Sequence, residues 1–400
     1  MIRILMIPSS KHPLISELTC ELKKSKNIDV KVLSLPPQLH KINKFNIVKD
    51  SSYFLIYLFL HEFPIFLKIM YLFFKYISLK TLKFFVWIFI LSRAILKTNF
   101  KIKFNLIHAF WIHPAGFAAI LIKHLIKIPV IISVLGYDIS KCTLEDPLLK
   151  EIVKFTLKEA DHVITSAKNH YSKIILLGTK KYKISVLSIP VSMEKFNPNV
   201  DPMLIRTFYR IRNDEIIIGF GPRISEFYGA IDFIRAASLV AKNVSNVVFM
   251  MIGEIKEDNI LKSLEKYRKN EIKVIFTGKI SYDKMPYYYA AMDIYCNLCY
   301  EGQGVSTLEA MSSKKPVIGY DVGDVKINDG IDGILVQPGN IKQLTEKILI
   351  LIKDKELREK IAENARKRVL LQNNISMHIE KLIYIYEKVQ AEKAVINKHF

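Results

Sequence analysis

Two carboxylates stand eight positions apart in EGQGVSTLEAMSSKKPVIGYD, residues 301–321: Glu301 before a glycine-bearing turn and Glu309 inside the helical pattern that follows. Ser306 and Glu309 have the Ser-x-x-Glu spacing of a capping box, in which each side chain satisfies an amide of the first helical turn. Taken alone, that is the reading Glu309 invites. A second chemistry fits the same residues. A helix starting here aims the backbone N–H groups of Gly302 through Thr307 outward, and such amides bind phosphate, with glycine allowing close approach. Carboxylates beside them can accept hydrogen bonds from the paired hydroxyls of a ribose or a sugar. An anion on the amides and hydroxyls on the carboxylates together suit a nucleotide-sugar.

Other residue types invite chemistry with less context. Asp138 ends the apolar run PVIISVLGYD, where it could orient an acceptor hydroxyl or cap the next helix. His108 and His113, in NLIHAFWIHPAG, sit at a strand end, where a histidine is more often packed than catalytic. Cys296 and Cys299 form a CxxC in DIYCNLCYEG. With no partner residues to complete a metal site, reduced thiols on or beside a buried strand are expected.

These residues need strands to carry them. IRILMI, DVKVLSL, FNLIHAF, PVIISVL, HVITSA and KISVLSIP read as strands, with helical patterns such as LISELTCELKKS and DPLLKEIVKFTLKEA between them. The strands are apolar without period-2 alternation, as in a parallel sheet covered on both faces. A polar seam with two prolines, VSMEKFNPNVDP, follows at residues 191–202, and a second α/β series begins at EIIIGFGPR. The organisation expected is therefore α/β: a Rossmann-like domain over 1–195, a second over 196–375, and a C-terminal helix over 376–400 that would pack back on the first. In two open parallel-sheet domains the ligand belongs at the carboxyl ends of the strands, in the cleft between domains.

Residues 52–97 depart from this rhythm. They are crowded with aromatics and carry Lys68, Lys75, Lys80, Lys83, Arg93 and Lys97 against Glu62 alone. The charges interrupt every window long enough to span a bilayer. The segment suits either a basic amphipathic element lying in a membrane interface or a pair of buried helices with snorkelling lysines. The whole chain is basic, with 59 Lys and Arg against 38 Asp and Glu, net +21, which points to an anionic partner. No zinc-finger spacing, RNA-binding aromatic signature or arginine-rich tail accompanies that charge, so nucleic acid is not the expected partner. Four cysteines in 400 residues make no disulfide framework, and MIRILMIPSS reads as a first buried strand rather than a signal peptide. The cytoplasm is the expected compartment.

The second half resembles glycosyltransferase family 4, retaining enzymes of the two-Rossmann-domain GT-B fold. The resemblance rests on Glu301-x7-Glu309 followed by Ala310-Met311 and Lys315-Pro316-Val317, on GFGPRISEFYGAIDFIRAA with Arg223, and on VIFTG, MPYYYAAMDIYCNLC and DGIDGILVQPGN. In the first half, NLIHAFWIHPAGFAA, PVIISVLGYD and DHVITSA are similar to the family's segments. The resemblance implies that Arg223 holds the donor diphosphate, Glu309 the nucleotide ribose, and that Glu301 sits near the transferred sugar. The amides of Gly304, Val305 and Ser306, beside Gly302, would support sugar or phosphate oxygens, and backbone near Gly278 would face the base. Asp138 and His113 complete the candidate catalytic set. The leaving diphosphate would be stabilised by cationic side chains and helix amides, so neither metal nor cofactor is expected.

The pattern breaks in places. Tyr228 stands where the family has lysine, Leu135 and Phe110 where it has histidines, PSSKHP replaces a glycine-rich loop, and Lys326 lies in a shortened loop. Tyr228 can hydrogen-bond a phosphate but is neutral near pH 7. The reading is a retaining, hexosyltransferase-like enzyme that moves a sugar from a nucleoside-diphosphate sugar to the hydroxyl of a saccharide or lipid-linked acceptor. It would work in polysaccharide or glycolipid synthesis, peripheral on the cytoplasmic face of an anionic membrane. Three alternatives remain open: a non-catalytic sugar-nucleotide-binding subunit, a nucleotide-sugar epimerase on the same fold, and a membrane-surface scaffold.

Overall fold

The computed structural model describes residues 1–8, 13–33, 55–56, 58–139, 144–268, 273–302, 304–322 and 326–398. The middle of the PSSKHP loop, the start of the 52–97 segment, Gln303 and the residues just before Lys326 lie outside the described residues.

The chain forms two compact units, one of Met1–Ser188 with Ser376–Phe400 and one of Ile189–Ile375. The seam thus falls just ahead of the 195/196 boundary expected from composition. Unit 1 runs β1 (Ile2–Ile7), α1 (Pro13–Leu22), β2 (Ile28–Val32), α2 (Phe63–Lys75), α3 (Leu79–Lys101), β3 (Leu106–Phe110), α4 (Phe117–Ile126), β4 (Val130–Val134), α5 (Pro147–Glu159), β5 (His162–Thr165), α6 (Lys168–Leu176) and β6 (Ile184–Val186). Unit 2 continues with α7 (Met203–Phe208), β7 (Ile216–Phe220), α8 (Ala230–Ala241), β8 (Val247–Met251), α9 (Asp258–Arg268), β9 (Val274–Phe276), α10 (Met285–Ala291), β10 (Ile294–Asn297), α11 (Val305–Ser312), β11 (Val317–Tyr320), β12 (Ile334–Val336), α12 (Ile341–Lys353) and α13 (Lys355–Gln372). The last helix, α14 (Ile375–Lys398), returns to unit 1.

Each unit holds a six-stranded parallel sheet, in the orders β2-β1-β3-β4-β5-β6 and β12-β11-β10-β7-β8-β9. β3, β4, β7 and β8 are buried along almost their whole length, which is why their sequences show no alternation. In both sheets the strand order reverses once. In unit 1 the reversal lies between β1 and β3. In unit 2 it lies between β7 and β10, which pair with Cys296 opposite Phe220. A crevice opens at the carboxyl ends of the strands at such a point, because the crossovers leave in opposite directions.

The 52–97 segment becomes α2 and α3. The buried-helix reading holds for one face of the pair. Ile65, Ile69 and Leu72 of α2 and Phe85, Ile88, Leu91 and Ile95 of α3 join the unit 1 core with Ile107 and Ile132. The outward face of α2 stays exposed. Among the described residues, no helix is long and apolar enough to cross a membrane. The unit 2 core is built around Phe220 stacked on Phe233, with ring centroids 4.9 Å apart, and Phe249.

Candidate active site

Arg223 and Glu301 leave neighbouring strands at the reversal point of unit 2, Arg223 after β7 and Glu301 after β10. The loop that carries Arg223 depends on two glycines. Gly221 has φ +142°, and a Cβ there would come within 2.4 Å of the Ile252 carbonyl oxygen. Gly229, with φ +81°, precedes α8, and a Cβ on it would lie 2.4 Å from the Leu298 carbonyl oxygen. A side chain at either position would push the Arg223–Tyr228 loop off the strand ends. The Tyr295 hydroxyl, from β10, donates to the Gly221 carbonyl and ties the loop to the same strand that delivers Glu301.

Arg223 is exposed and donates from Nη1 to the Tyr228 hydroxyl at 2.7 Å, its guanidinium 5.6 Å from the ring centroid. Tyr228 therefore orients the arginine, where a lysine would have added a second charge. Cys299 lies in reach of both sides of the crevice: the amides of Glu301 and Gly302 point to its sulfur, and Arg223 acts on it through space. Burial nevertheless pushes this thiol up, as it does the fully buried Cys296, so both stay neutral. The CxxC is a pair of packed thiols. Among the described residues, no group of three His, Cys, Asp or Glu could hold a metal ion.

The expected capping box is not formed. α11 begins at Val305 with Gly304 at the N-cap, which puts Ser306 inside the first turn and Glu309 one turn in. Asn297, the last residue of β10, donates from Nδ2 to Thr307 Oγ1 at 2.8 Å and to Ser306 Oγ at 3.3 Å, bracketing strand end to helix start. The first-turn amides of Val305 and Ser306, after Gly304, keep the orientation that favours an anion. Glu309 is 5% exposed, and Tyr289 of α10 donates to its Oε2 at 3.1 Å. Burial, together with the neighbouring Tyr295 and Glu309, holds the Tyr289 hydroxyl far above its ordinary pKa, so it remains a donor at any working pH.

The loops behind Arg223 stack in strand order. A Cβ on Gly253 would lie 2.6 Å from the Pro222 carbonyl oxygen, and the Gly253 amide donates to the Gly278 carbonyl at 3.0 Å. Gly278 is exposed with φ +66° and nothing within 4 Å of its Cβ position, so its surface is open to a ligand. Sequence reasoning passed over Asp232. This buried aspartate in the first turn of α8 accepts from the hydroxyls of Tyr300 and, at 2.6 Å, Tyr320. It pins the residue before Glu301 to the end of β11. An acid in the first turn of the helix after the FYG loop was the available signal.

Unit 1 places Asp138 and His113 after neighbouring strands, β4 and β3. Asp138 is buried and accepts from the Leu135 amide at 3.4 Å and from the Ile112 amide. It does not cap α5, whose N-cap is Asp146. Burial raises its carboxyl to a pKa of about 7, against the pull of those amides. His113, half-buried, packs its ring 6.5 Å from that of Phe84, and burial lowers its pKa. His108 is a packing residue. Its Nδ1 pairs with the Tyr386 hydroxyl at 2.7 Å, its Nε2 pairs with Ser133 Oγ at 2.8 Å, and its ring stacks on Phe110. His170, passed over in the sequence, stands over Gly136, with Cε1 3.3 Å from the Cβ position there.

Comparison with known proteins follows these two groups of residues. Residues 204–368 match the family model of glycosyl transferases group 1, and residues 68–167 match that of glycosyl transferase 4-like proteins. A capsular polysaccharide biosynthesis glycosyltransferase of Staphylococcus aureus is 29% identical over 242 residues, 58% of this chain and 61% of its own length. An uncharacterised glycosyltransferase of Methanocaldococcus jannaschii is 25% identical over 246 residues, 60% of this chain and 62% of its own. The aligned region thus spans about three fifths of those relatives. The crystal structure of Anabaena HepE in complex with UDP and glucose superposes with a TM-score of 0.73 at 16% identity, over 97% of this chain and all of the other. With two Rossmann-like units of the GT-B fold and both family models matched, the chain belongs to the group 1, family 4 glycosyltransferases.

Proposed function

We propose that the protein is a retaining glycosyltransferase that moves a sugar from a nucleoside-diphosphate sugar to an acceptor hydroxyl. The observation that carries this reading is the convergence, at the strand-order reversal of unit 2, of the Arg223 guanidinium, Glu301 and the first turn of α11, with Glu309 one turn further in. Arg223 grips the donor diphosphate with a fork that is always charged. The amides of Gly304, Val305 and Ser306 take phosphate or sugar oxygens. Glu309, its rotamer fixed by Tyr289, accepts from the ribose hydroxyls, and Glu301 lies by the sugar. As the glycosidic bond breaks, negative charge grows on the leaving diphosphate, and the arginine and helix amides already face it. No metal is required for that step. Asp138, poised near neutrality, orients the acceptor hydroxyl, and a neutral His113 supports it. The acceptor is a saccharide or lipid-linked saccharide at the cytoplasmic face of an anionic membrane, and nucleic acid is no partner.

A second reading, a sugar-nucleotide-binding subunit without turnover, draws on the Arg223–Tyr228 pair, which gives the diphosphate one cation where the family has two. The experiment is a thermal-shift screen across nucleoside diphosphates and their sugars, since a ligand of the folded state raises the melting temperature by mass action. UDP, present in the Anabaena structure, is the first to try. Transfer of labelled sugar, with and without EDTA, follows. If no nucleoside diphosphate stabilises the protein, the proposal is wrong. Binding without transfer or donor hydrolysis selects the subunit, and loss with EDTA restored by Mg²⁺ overturns the metal-free mechanism.

A further inference from the structure

α2 carries two apolar faces. Ile65, Ile69 and Leu72 are buried in unit 1. On the other side Phe63, Leu67, Tyr71 and Phe74 recur at helical spacing and are all about half exposed or more. The stripe begins earlier, at Phe59, whose ring meets that of Phe63 at 5.4 Å. It continues through the turn into α3, where Ile77 and Leu79 are 65% and 67% exposed. Scattered exposed apolar residues are ordinary, but a continuous stripe on one element marks a docking surface.

Its charge selects the occupant. Lys68 and Lys75 flank Tyr71, their Nζ atoms 5.5 and 5.1 Å from the ring centroid. Glu62 is the lone acid between residues 55 and 97, and it is paired with Lys127. A second copy of this chain would set lysines against lysines. Aromatics ringed by lysines match the boundary between acyl chains and anionic headgroups. From these observations we infer that the outward face of α2 and the α2–α3 turn dock the protein on an anionic lipid surface.

A cavity of about 360 Å³ borders this face at the turn, lined by Lys75, Ser78, Lys80, Phe84 and Asp146 among others. Lys80 is paired with Asp146 at 2.9 Å, and the ring of Phe84 neighbours His113. Docking on this face therefore holds the acceptor-side residues of unit 1 close to the lipid. The inference names the surface at which the proposed acceptor is met and rests on the proposed function for that alone. Donor binding belongs to unit 2 and is read separately.

The test is co-sedimentation of the full chain with vesicles of phosphatidylglycerol and of phosphatidylcholine. The expected result is binding to the first, weakened by salt, and little to the second. Lys68→Gln with Lys75→Gln should weaken binding roughly 25-fold, about fivefold per charge. Phe74→Ser with Ile77→Ser should also release the protein, and Lys262→Gln with Lys342→Gln in unit 2 should change little. UDP thermal shifts, recorded on each variant, should match wild type, which separates loss of docking from loss of fold. A failed UDP shift in wild type would count against the proposed donor and leave the vesicle result standing. The inference is overturned if wild type ignores phosphatidylglycerol vesicles at low salt. It is also overturned if the Ser variant binds as well as wild type, or if the unit 2 lysines cost as much as those of α2. A dimer in buffer that Phe74→Ser dissociates, with no vesicle binding, would assign the face to a second copy.

Discussion

Arg223 reaches the surface of unit 2 with a tyrosine, rather than a second cation, beside it. Arg223→Ala removes a charge-assisted contact worth ~1.5–3 kcal/mol, so nucleoside-diphosphate affinity should fall roughly ten- to a hundredfold by calorimetry, with the melting temperature of the free protein little changed. Undiminished affinity would remove the arginine from the donor site. Asp138 makes a different prediction, about protons. Its folded pKa of about 7 lies above the ordinary 3.8, so its contribution to stability is fully present below about 3.8 and is lost as pH rises through about 7. Asp138→Asn cannot ionise. The melting temperature of this variant, relative to wild type, should therefore climb between those two values and then level off. A difference that stays constant with pH would mean that the carboxyl titrates normally. Glu301 and Glu309 stood out in the sequence by their spacing, and Arg223 by the family resemblance of its stretch. Their supports, Tyr289, Asn297 and Asp232, were not, because each comes from a different element and only tertiary packing brings it near.

Elements followed the apolar pattern closely, since a buried parallel strand needs little beyond an uninterrupted hydrophobic run. The faces of elements did not. The 52–97 sequence shows apolar residues on every side, and which side is buried depends on where α3 lies against α4 and the sheet. The same holds for α14. The tail read as a helix, but its individual partners lie far back in the chain: Tyr386 meets His108, and His378 Nδ1 meets the Ser188 carbonyl at 2.9 Å. Burial lowers His108 to a pKa of about 3 and His378 to about 4. Both are depressed below 6.5, so their contribution is present above about 6.5 and is lost as pH falls through 4 towards 3. Tyr386→Phe, which strips one partner from a buried imidazole, should cost ~1–3 kcal/mol and move acid unfolding to higher pH. Both tryptophans, Trp87 and Trp111, lie in unit 1, so their fluorescence reports on that unit alone. An unchanged acid midpoint would mean that the helix is held by its apolar side chains.

At the scale of the whole molecule, unit 2 is an insertion into unit 1. The chain enters unit 2 at Ile189 and leaves at Ile375, and its two ends are sewn together inside that unit: the Val191 amide donates to the Asn373 carbonyl at 2.8 Å, and Asn373 Nδ2 donates to the Ile189 carbonyl at 2.7 Å. A polypeptide of residues 189–375 should therefore unfold cooperatively in calorimetry and bind the same nucleoside diphosphate as the full chain. A broad transition without ligand response would show that the unit depends on its host. Removing α14 should instead alter the tryptophan signal of unit 1, because Leu382, Tyr386 and Val389 are buried there.

The return of α14 also sets an order of assembly on the ribosome. The first half of the nascent chain emerges with a gap in its core, open along His108, that only a segment translated after unit 2 can fill. At translation rates of ~5–20 residues per second, the wait is roughly ten to forty seconds. Unit 2 can finish during that interval, while the earlier half, with its exposed aromatic stripe, stays incomplete. A premature stop codon within α14 would thus disable unit 1, most of which is encoded upstream of unit 2, and leave unit 2 intact.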